Sequence, residues 1–142
     1  MDGEVCLFKK YSNYNVNDEI WLKTCDASNT NSAKAMKYHF SYDQASGLIK
    51  SLGSVAANEN KHLCLKLNSA TRFGKQRVKL ARCDSENVLQ QFDFVDGKIY
   101  PRSEHRLCAS YEYNKFEAAG TTALIFSTCF PGALAINLDS MV

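Results

Sequence analysis

Short runs of alternating apolar and polar residues recur along the chain, and clusters of Asn, Asp, Ser or Gly separate them. Alternation with a period of two is typical of strands that bury one face, and the separating clusters are typical of turns. The clearest runs each end just before a cysteine and cover residues 19–24, 77–82 and 122–128. The pattern therefore predicts an all-β chain, in which residues 31–38 are the one stretch that could begin a short helix.

Aromatic residues spaced two apart mark two further strands. A glycine turn and a short apolar run follow each of these pairs, which are Phe40 with Tyr42 and Phe92 with Phe94. Clusters rich in Asn, Asp and Ser predict turns at residues 13–18, 28–32, 58–60, 84–87 and 96–97. Trp21 lies in the run at residues 19–24, and we expect it in the core or at the closure of a lobe.

Six cysteines fall into three successive pairs with nearly equal spacings of 19, 19 and 21 residues. These pairs are Cys6 with Cys25, Cys64 with Cys83, and Cys108 with Cys129. The even spacing favours three disulfides between neighbours, each of which stabilises the fold by about 3 kcal/mol through closing a loop of roughly 20 residues. Disulfides persist in oxidising compartments, so we expect a secreted protein or an extracellular domain of a larger one. Six buried free thiols in a cytosolic protein are the alternative.

The cysteine pairs and the aromatic pairs divide the 142-residue chain into three segments, 1–46, 47–96 and 97–142. Each segment is about 45 residues long and holds about four predicted strands. Three similar segments predict a single all-β domain with pseudo-threefold symmetry.

The second segment carries the most informative set of residues. It reads Leu63-Cys64-Leu65, then Val78-Lys79-Leu80 before Cys83, then Gln90-x-Phe92, then Asp96-Gly97-Lys98-Ile99. This set resembles the ricin B-type lectin family, whose repeats carry a Gln-x-Trp motif and then a glycine turn. The resemblance extends over nearly the whole chain and implies a β-trefoil of three lobes. Cys64-Leu65 with Cys83-Asp84-Ser85, and the spaced aromatics of the first segment, also resemble the cysteine-rich domain of mannose-receptor-type endocytic receptors.

The Gln-x-Trp motif of the family appears in this chain only as Gln90-x-Phe92. Tyr38-x-Phe40 stands at the corresponding place in the first segment, and Ile136-x-Leu138 in the third. The resemblance implies that the aromatic residue packs in the core, a role that Phe fills as well as Trp. Gln90 is therefore expected to mark the fold and not a binding site.

Galactose-binding members of the family place an Asp two residues after the first cysteine and a stacking aromatic two residues before the second. The carboxylate accepts hydrogen bonds from sugar hydroxyls, and the ring covers the apolar face of the sugar. In this chain the Asp positions hold Phe8, Lys66 and Ser110, and the aromatic positions hold Lys23, Ala81 and Ser127. All six positions depart from the pattern, so no galactose site of the ricin type is expected.

The formal net charge of +2 conceals a basic segment, because residues 61–82 contain seven Lys or Arg and no acid. Such a concentration could attract an anionic ligand, for example a sulfated glycan, a heparin-like chain or an acidic protein. The candidate ligand-binding residues are Arg77, Lys79, Arg102, His105 and Arg106, with Tyr111 and Tyr113 to stack on a sugar. For each of them the alternative is a solvated strand face or ordinary packing.

Signals for other functions are lacking in the sequence. It has no catalytic motif and no metal-ligand spacing, and its charges are not interleaved with aromatics as nucleic-acid binding would need. No apolar run approaches the roughly 18 residues of a membrane helix, and the N-terminus has no apolar core of a signal peptide. The chain is thus either cytosolic or part of a longer precursor, and we expect no enzyme activity, cofactor, metal or membrane insertion.

The predicted function is that of a non-catalytic, lectin-like module. Its expected ligand is a glycan or glycoprotein that carries negative charge. The first alternative is a protein-interaction or structural domain of a larger receptor, toxin or surface complex without a sugar site. A second is a trefoil protease inhibitor or cytokine-like ligand.

Overall fold

The computed structural model describes residues 5–9, 14–24, 40–58, 60–68, 76–111 and 121–129. These segments form ten strands, one α-helix of six residues and one 3-10 turn. The strands are β1 (Val5–Phe8), β2 (Trp21–Thr24), β3 (Phe40–Tyr42), β4 (Ile49–Ser51), β5 (Leu63–Leu67), β6 (Gln76–Arg82), β7 (Phe92–Val95), β8 (Lys98–Pro101), β9 (Leu107–Tyr111) and β10 (Thr121–Thr128). The helix is α1 (Leu52–Ala57), and the 3-10 turn covers Val88–Gln90. The prediction of an all-β chain is confirmed.

Eight of these strands join in one curled antiparallel sheet, in the order β1-β2-β10-β6-β5-β4-β3 with β9 also paired to β10. Strands β7 and β8 form a separate two-stranded hairpin. Strand β10 connects three neighbours, since residues 121–123 pair with β2 and residues 124–128 with β9. Within that second stretch, Ile125 and Phe126 also lie opposite β6. This strand therefore holds the sheet together.

Alternation along the strands builds the core. Leu63, Leu65 and Leu67 of β5 are buried, and so are Val78 and Leu80 on the facing strand β6. The aromatic residues of the motif positions lie in the same cluster, where Phe40 and Phe92 are almost completely buried. The Phe92 ring packs on Phe126 of β10 with 5.5 Å between ring centroids. The expected core role of the motif aromatics is confirmed.

Two of the predicted disulfides are present, Cys64–Cys83 and Cys108–Cys129. Each joins the first strand of a pair to the residue directly after the second strand, with Cα atoms 4.9 Å apart for β5–β6 and 5.1 Å apart for β9–β10. Cys6 is also disulfide-bonded, while its predicted partner Cys25 lies outside the described residues. The organisation into three lobes with one disulfide each stays a prediction.

The tight turn between β7 and β8 lies at the predicted place. Asp96 and Gly97 have φ angles of 52° and 79°, the left-handed pair that matches the twist of a two-residue hairpin. The polar turn at residues 14–18 also agrees with the prediction, and Asn17 in it has a φ of 76°. Asn tolerates this conformation better than most residues.

The prediction that residues 31–38 are the one stretch that could begin a helix is wrong in one respect, because Leu52–Ala57 forms a helix. Residues 31–38 themselves lie outside the described part of the chain. Ser51 caps it, since its hydroxyl accepts a hydrogen bond of 3.3 Å from the amide of Ser54. A six-residue helix is too short for the 3.6-residue periodicity to be visible in the sequence.

Candidate functional site

The outer face of the β4–β5–β6 sheet concentrates positive charge. Val78 and Leu80 point into the core, so Arg77 and Lys79 share the opposite face, as their spacing predicted. Lys66 of β5 lies directly opposite Lys79. Lys50 of β4 lies opposite Cys64, which belongs to the same face. We call Lys50, Lys66 and Lys79 the lysine face.

Like charges that oppose each other across two strands repel, because their Cβ atoms are only about 5 Å apart. Within the described residues, no hydrogen bond or ion pair engages the ammonium group of Lys66 or Lys79. Glu19 pairs with Lys79 through its main chain, but its carboxylate lies 3.4 Å from Arg77 Nη1. The lysine face therefore carries uncompensated charge that an anion would neutralise.

Lys66 was identified from the family pattern but was not among the candidate ligand-binding residues. It holds the position of the family's Asp, and Ala81, at the position of the stacking aromatic, lies opposite Cys64. The sequence offered a signal for the pairing of Lys66 with Lys79, since the positions of Cys64 and Cys83 in the sequence constrain the register between β5 and β6. That constraint could have placed Lys66 beside Lys79.

The same two positions in the first segment contact each other instead. The Lys23 ammonium lies 4.9 Å from the centroid of the Phe8 ring, a cation–π distance. Phe8 is buried, and Trp21 packs against it and against Cys6 in a small cluster outside the main core. The residues at these two positions of the first segment therefore contact each other.

The third segment offers small polar side chains at these positions. Ser110 is 7% exposed and lies opposite Ile125, and Ser127 lies opposite Cys108. Neither serine supplies a carboxylate or a ring. Tyr111 ends β9 opposite Leu124, whereas Tyr113 lies outside the described residues, so the stacking role suggested for these tyrosines stays a prediction.

Gln90 acts as a clamp on the turn that follows β6, as its role as a fold marker implied. Its Oε1 accepts a hydrogen bond of 3.0 Å from the amide of Asp84. Its Nε2 donates one of 2.9 Å to the carbonyl of Arg82. The Gln90 side chain is 2% exposed, so both hydrogen bonds are partly shielded from water.

The candidates Arg102 and His105 meet at the carboxylate of Asp93 on β7. Arg102 Nε donates to Asp93 Oδ1 at 2.9 Å, and His105 Nε2 lies 2.7 Å from Asp93 Oδ2. Although partial burial acts to raise the pKa of Asp93, the hydrogen bonds from His105 and Arg102 outweigh it, and the pKa is lowered. The hydrogen bond to Asp93 raises the pKa of Arg102.

The guanidinium of Arg102 also connects the β7–β8 hairpin to the turn after β3. It donates to the carbonyl of Gln44 at 2.9 Å and to that of Ala45 at 3.3 Å. Gly47, with a φ of +81°, makes room for it, since a Cβ there would lie 3.0 Å from Arg102 Cζ. The donors of Arg102 are thus directed at acceptors of the protein itself.

Arg106 forms a local pair with Glu104. Its Nε and Nη2 donate to the two carboxylate oxygens at 2.9 and 3.0 Å, and its side chain is 85% exposed. The hydrogen bond from Arg106 lowers the pKa of Glu104. The basic candidates therefore fall into two groups, Arg77 and Lys79 on β6, and Arg102, His105 and Arg106 between β8 and β9.

In the described segments, no group of three His, Cys, Asp or Glu side chains could hold a metal ion. The same segments contain no helix with the length and apolar character needed to span a bilayer.

No family model and no curated protein matches the sequence. Solved structures similar to it include the C-half of an earthworm R-type lectin in complex with GalNAc, with a TM-score of 0.61, 13% identity, and coverage of 89% of this chain and 82% of that one. Another is a C-terminal domain mutant of an earthworm lectin in complex with 6'-sialyllactose, with a TM-score of 0.61, 10% identity, and coverage of 93% and 92%. The likeness to mannose-receptor-type domains stays a prediction. This chain has the ricin B-type, or R-type, lectin fold.

Proposed function

We propose that the protein is a non-catalytic carbohydrate-binding module that recognises glycans bearing negative charge and works in an extracellular setting. The observation that carries this proposal is the lysine face, where Lys66, at the position of the family's Asp, lies opposite Lys79. The fold supports a saccharide as the ligand, since the two earthworm structures hold GalNAc and 6'-sialyllactose. The disulfides support an oxidising compartment.

The chemistry of the lysine face favours charge over stacking. Ala81 provides no aromatic ring to cover a sugar, and no acid replaces the family's Asp. Ammonium groups donate charge-assisted hydrogen bonds to sulfate or carboxylate oxygens, and an anion between two facing lysines removes their repulsion. Binding is therefore expected to depend on the charged substituent more than on the identity of the sugar ring.

A glycan array that contains sulfated, carboxylated and neutral glycans tests the proposal. We expect binding to the charged classes, with an affinity that falls as NaCl is raised from roughly 50 to 500 mM. The double substitution K66Q/K79Q should weaken binding by about tenfold, which corresponds to 1.4 kcal/mol. Lys98→Gln on β8 is the matched control and should bind like the unmodified protein. A folded protein that binds neither charged nor neutral glycans would overturn the proposal.

A second candidate function is a protein-interaction or structural domain without a sugar site. The first segment favours it, since Lys23 and Phe8, at the positions of the family's stacking aromatic and Asp, contact each other. Capture of a defined protein partner by the folded chain, undiminished by K66Q/K79Q and by an excess of sulfated glycan, would favour this candidate over the lectin.

A further inference from the structure

We propose that a cleft at the open end of the β5–β6 hairpin is a second anion site, separate from the lysine face, and that it binds one acidic sugar unit. The cleft has a volume of about 380 Å³ and lies where β5 begins and β6 ends. Val16, in the turn before β2, forms part of its wall. The saccharide nature of the ligand rests on the proposed function, whereas the site itself rests on the geometry below.

The hairpin brings the two ends of the basic segment together at this cleft. Lys61 and Arg82 stand at opposite ends of the acid-free stretch in the sequence, and both line the cleft. Leu63 pairs with Arg82 across the strands, and the amide of Cys83 donates to the carbonyl of His62 at 3.2 Å. Three basic residues, Lys61, His62 and Arg82, thus line one concave surface.

The floor of the cleft is rigid. The Cys64–Cys83 disulfide ties the two strands together beside it. The buried hydroxyl of Ser54 donates to the carbonyl of Lys61 at 2.9 Å, and Asn58 Oδ1 accepts from the amide of Asn60 at 3.0 Å. A preformed site binds a ligand at a lower entropic cost than one that must first become ordered.

A hydrogen bond connects the two walls of the cleft. Lys61 Nζ donates to Asn15 Oδ1 at 3.3 Å, which links the segment before β5 to the turn before β2. That turn is itself held to β6, since the amide of Asn17 donates to the carbonyl of Leu80 at 2.7 Å. The position of Val16 relative to Arg82 is therefore fixed by main-chain contacts.

The described lining residues of this cleft include basic side chains and no acidic one. Within the described residues, no acceptor engages the guanidinium of Arg82 or the ring of His62. No Asp or Glu is among the described lining residues, and Glu59 lies outside the described part of the chain. A guanidinium binds a carboxylate or sulfate through two parallel hydrogen bonds, so an oxyanion is the ligand that this donor set fits.

The remaining lining groups suit a sugar ring that carries the oxyanion. The carboxamides of Asn58 and Asn60 can bond ring hydroxyls, and Val16, 46% exposed, offers an apolar contact. The volume of about 380 Å³ lies at the lower end of small-molecule sites, which span roughly 300–1,000 Å³. One charged monosaccharide is therefore the ligand class that matches both size and chemistry.

An NMR titration of the full chain with glucuronate, with glucose as the neutral counterpart and inorganic sulfate as the free oxyanion, tests the inference. All three are added at ionic strength matched with NaCl. We expect saturable shifts with glucuronate at the amides of Asn60, Lys61, His62 and Cys83, and none with glucose. Arg82→Gln should raise the dissociation constant for glucuronate by about tenfold, since it removes the guanidinium that binds the carboxylate. Lys98→Gln, a basic residue on β8, should leave it unchanged.

The outcomes separate this site from the proposed function. Glucuronate shifts that survive Arg82→Gln and His62→Gln, or that occur only around Lys66 and Lys79, would overturn the cleft site and leave the proposed function standing. Sulfate that binds as tightly as glucuronate would show a site for free anions and overturn the assignment to a sugar. Cleft shifts that persist in K66Q/K79Q, in a protein whose array binding is lost, would support the cleft independently.

Discussion

The carboxamide of Gln90 illustrates how a single buried side chain holds the segment after β6. Gln90→Ala would remove the hydrogen-bond partner of the Asp84 amide and of the Arg82 carbonyl, both in partly buried hydrogen bonds. A hydrogen bond contributes about 1 kcal/mol to stability, so we expect the free energy of unfolding to fall by about 2 kcal/mol. Urea denaturation measures this change. Gln91→Ala is the control, since its hydrogen bond to the Ser85 carbonyl is exposed, and it should cost less than about 1 kcal/mol.

A result in which both glutamine substitutions cost the same would contradict the assignment of Gln90 as a clamp.

The role of Gln90 and the burial of Phe92 could be predicted from the motif, because both depend on local packing that the fold imposes. The ion pair of Lys9 with Asp18 could not. Lys9 is 2% exposed, with its ammonium 3.3 Å from Asp18 Oδ2 and 5.6 Å from the centroid of the Tyr14 ring. Nothing in the residues around Lys9 distinguishes it from a surface lysine.

At the scale of elements, the β7–β8 hairpin depends on the ionised carboxylate of Asp93. Its lowered pKa means that the folded state favours the ionised form more than the unfolded state does. This contribution is present above the unfolded pKa of about 3.9 and is lost as the pH falls through the lower folded pKa. We therefore expect Asp93→Asn to lower stability by about 1 kcal/mol at pH 7 and by progressively less below pH 4.

Thermal unfolding of the two proteins between pH 7 and pH 2 measures this difference. Curves that converge at low pH agree with the prediction. Curves that stay parallel over the whole range would show that Asp93 acts through its shape and not through its charge. Since an ionised carboxylate only accepts hydrogen bonds, His105 Nε2 must donate in this arrangement, and the neutral Asn side chain retains part of that contact.

Most strands could be predicted from the sequence, because alternation and turn residues mark them locally. The helix α1 could not, since it is six residues long. The pairing of Lys66 with Lys79 could be predicted only in part. Alternation indicates which side chains share a face of one strand, but the register between two strands comes from long-range packing and from the disulfide. The basic cleft was missed for the same reason, because Lys61 and Arg82 are far apart in the sequence.

At the scale of the whole molecule, disulfides reinforce a sheet whose hairpins are distant in sequence. Reduction of the protein should lower its thermal midpoint, since each loop of about 20 residues contributes about 3 kcal/mol. Calorimetry with and without reductant measures the change, and mass spectrometry counts the thiols released. The double substitutions C64S/C83S and C108S/C129S compare the two described bridges directly. Thiols that react fully in the native protein without reductant would contradict the disulfides and the extracellular setting inferred from them.

The position of β10 also has a consequence for the order in which the sheet is completed. Strands β2 and β6 both pair with it, so until residues 121–128 are in place each of these hairpins has an open edge. Open edges are templates for pairing with other chains. During synthesis the ribosome releases β1, β2, β5 and β6 before β10, and the Cys64–Cys83 bridge can form in that interval, whereas Cys108–Cys129 must wait for the segment that closes the sheet. The interval before β10 emerges is thus the period in which a nascent chain is most exposed to aggregation.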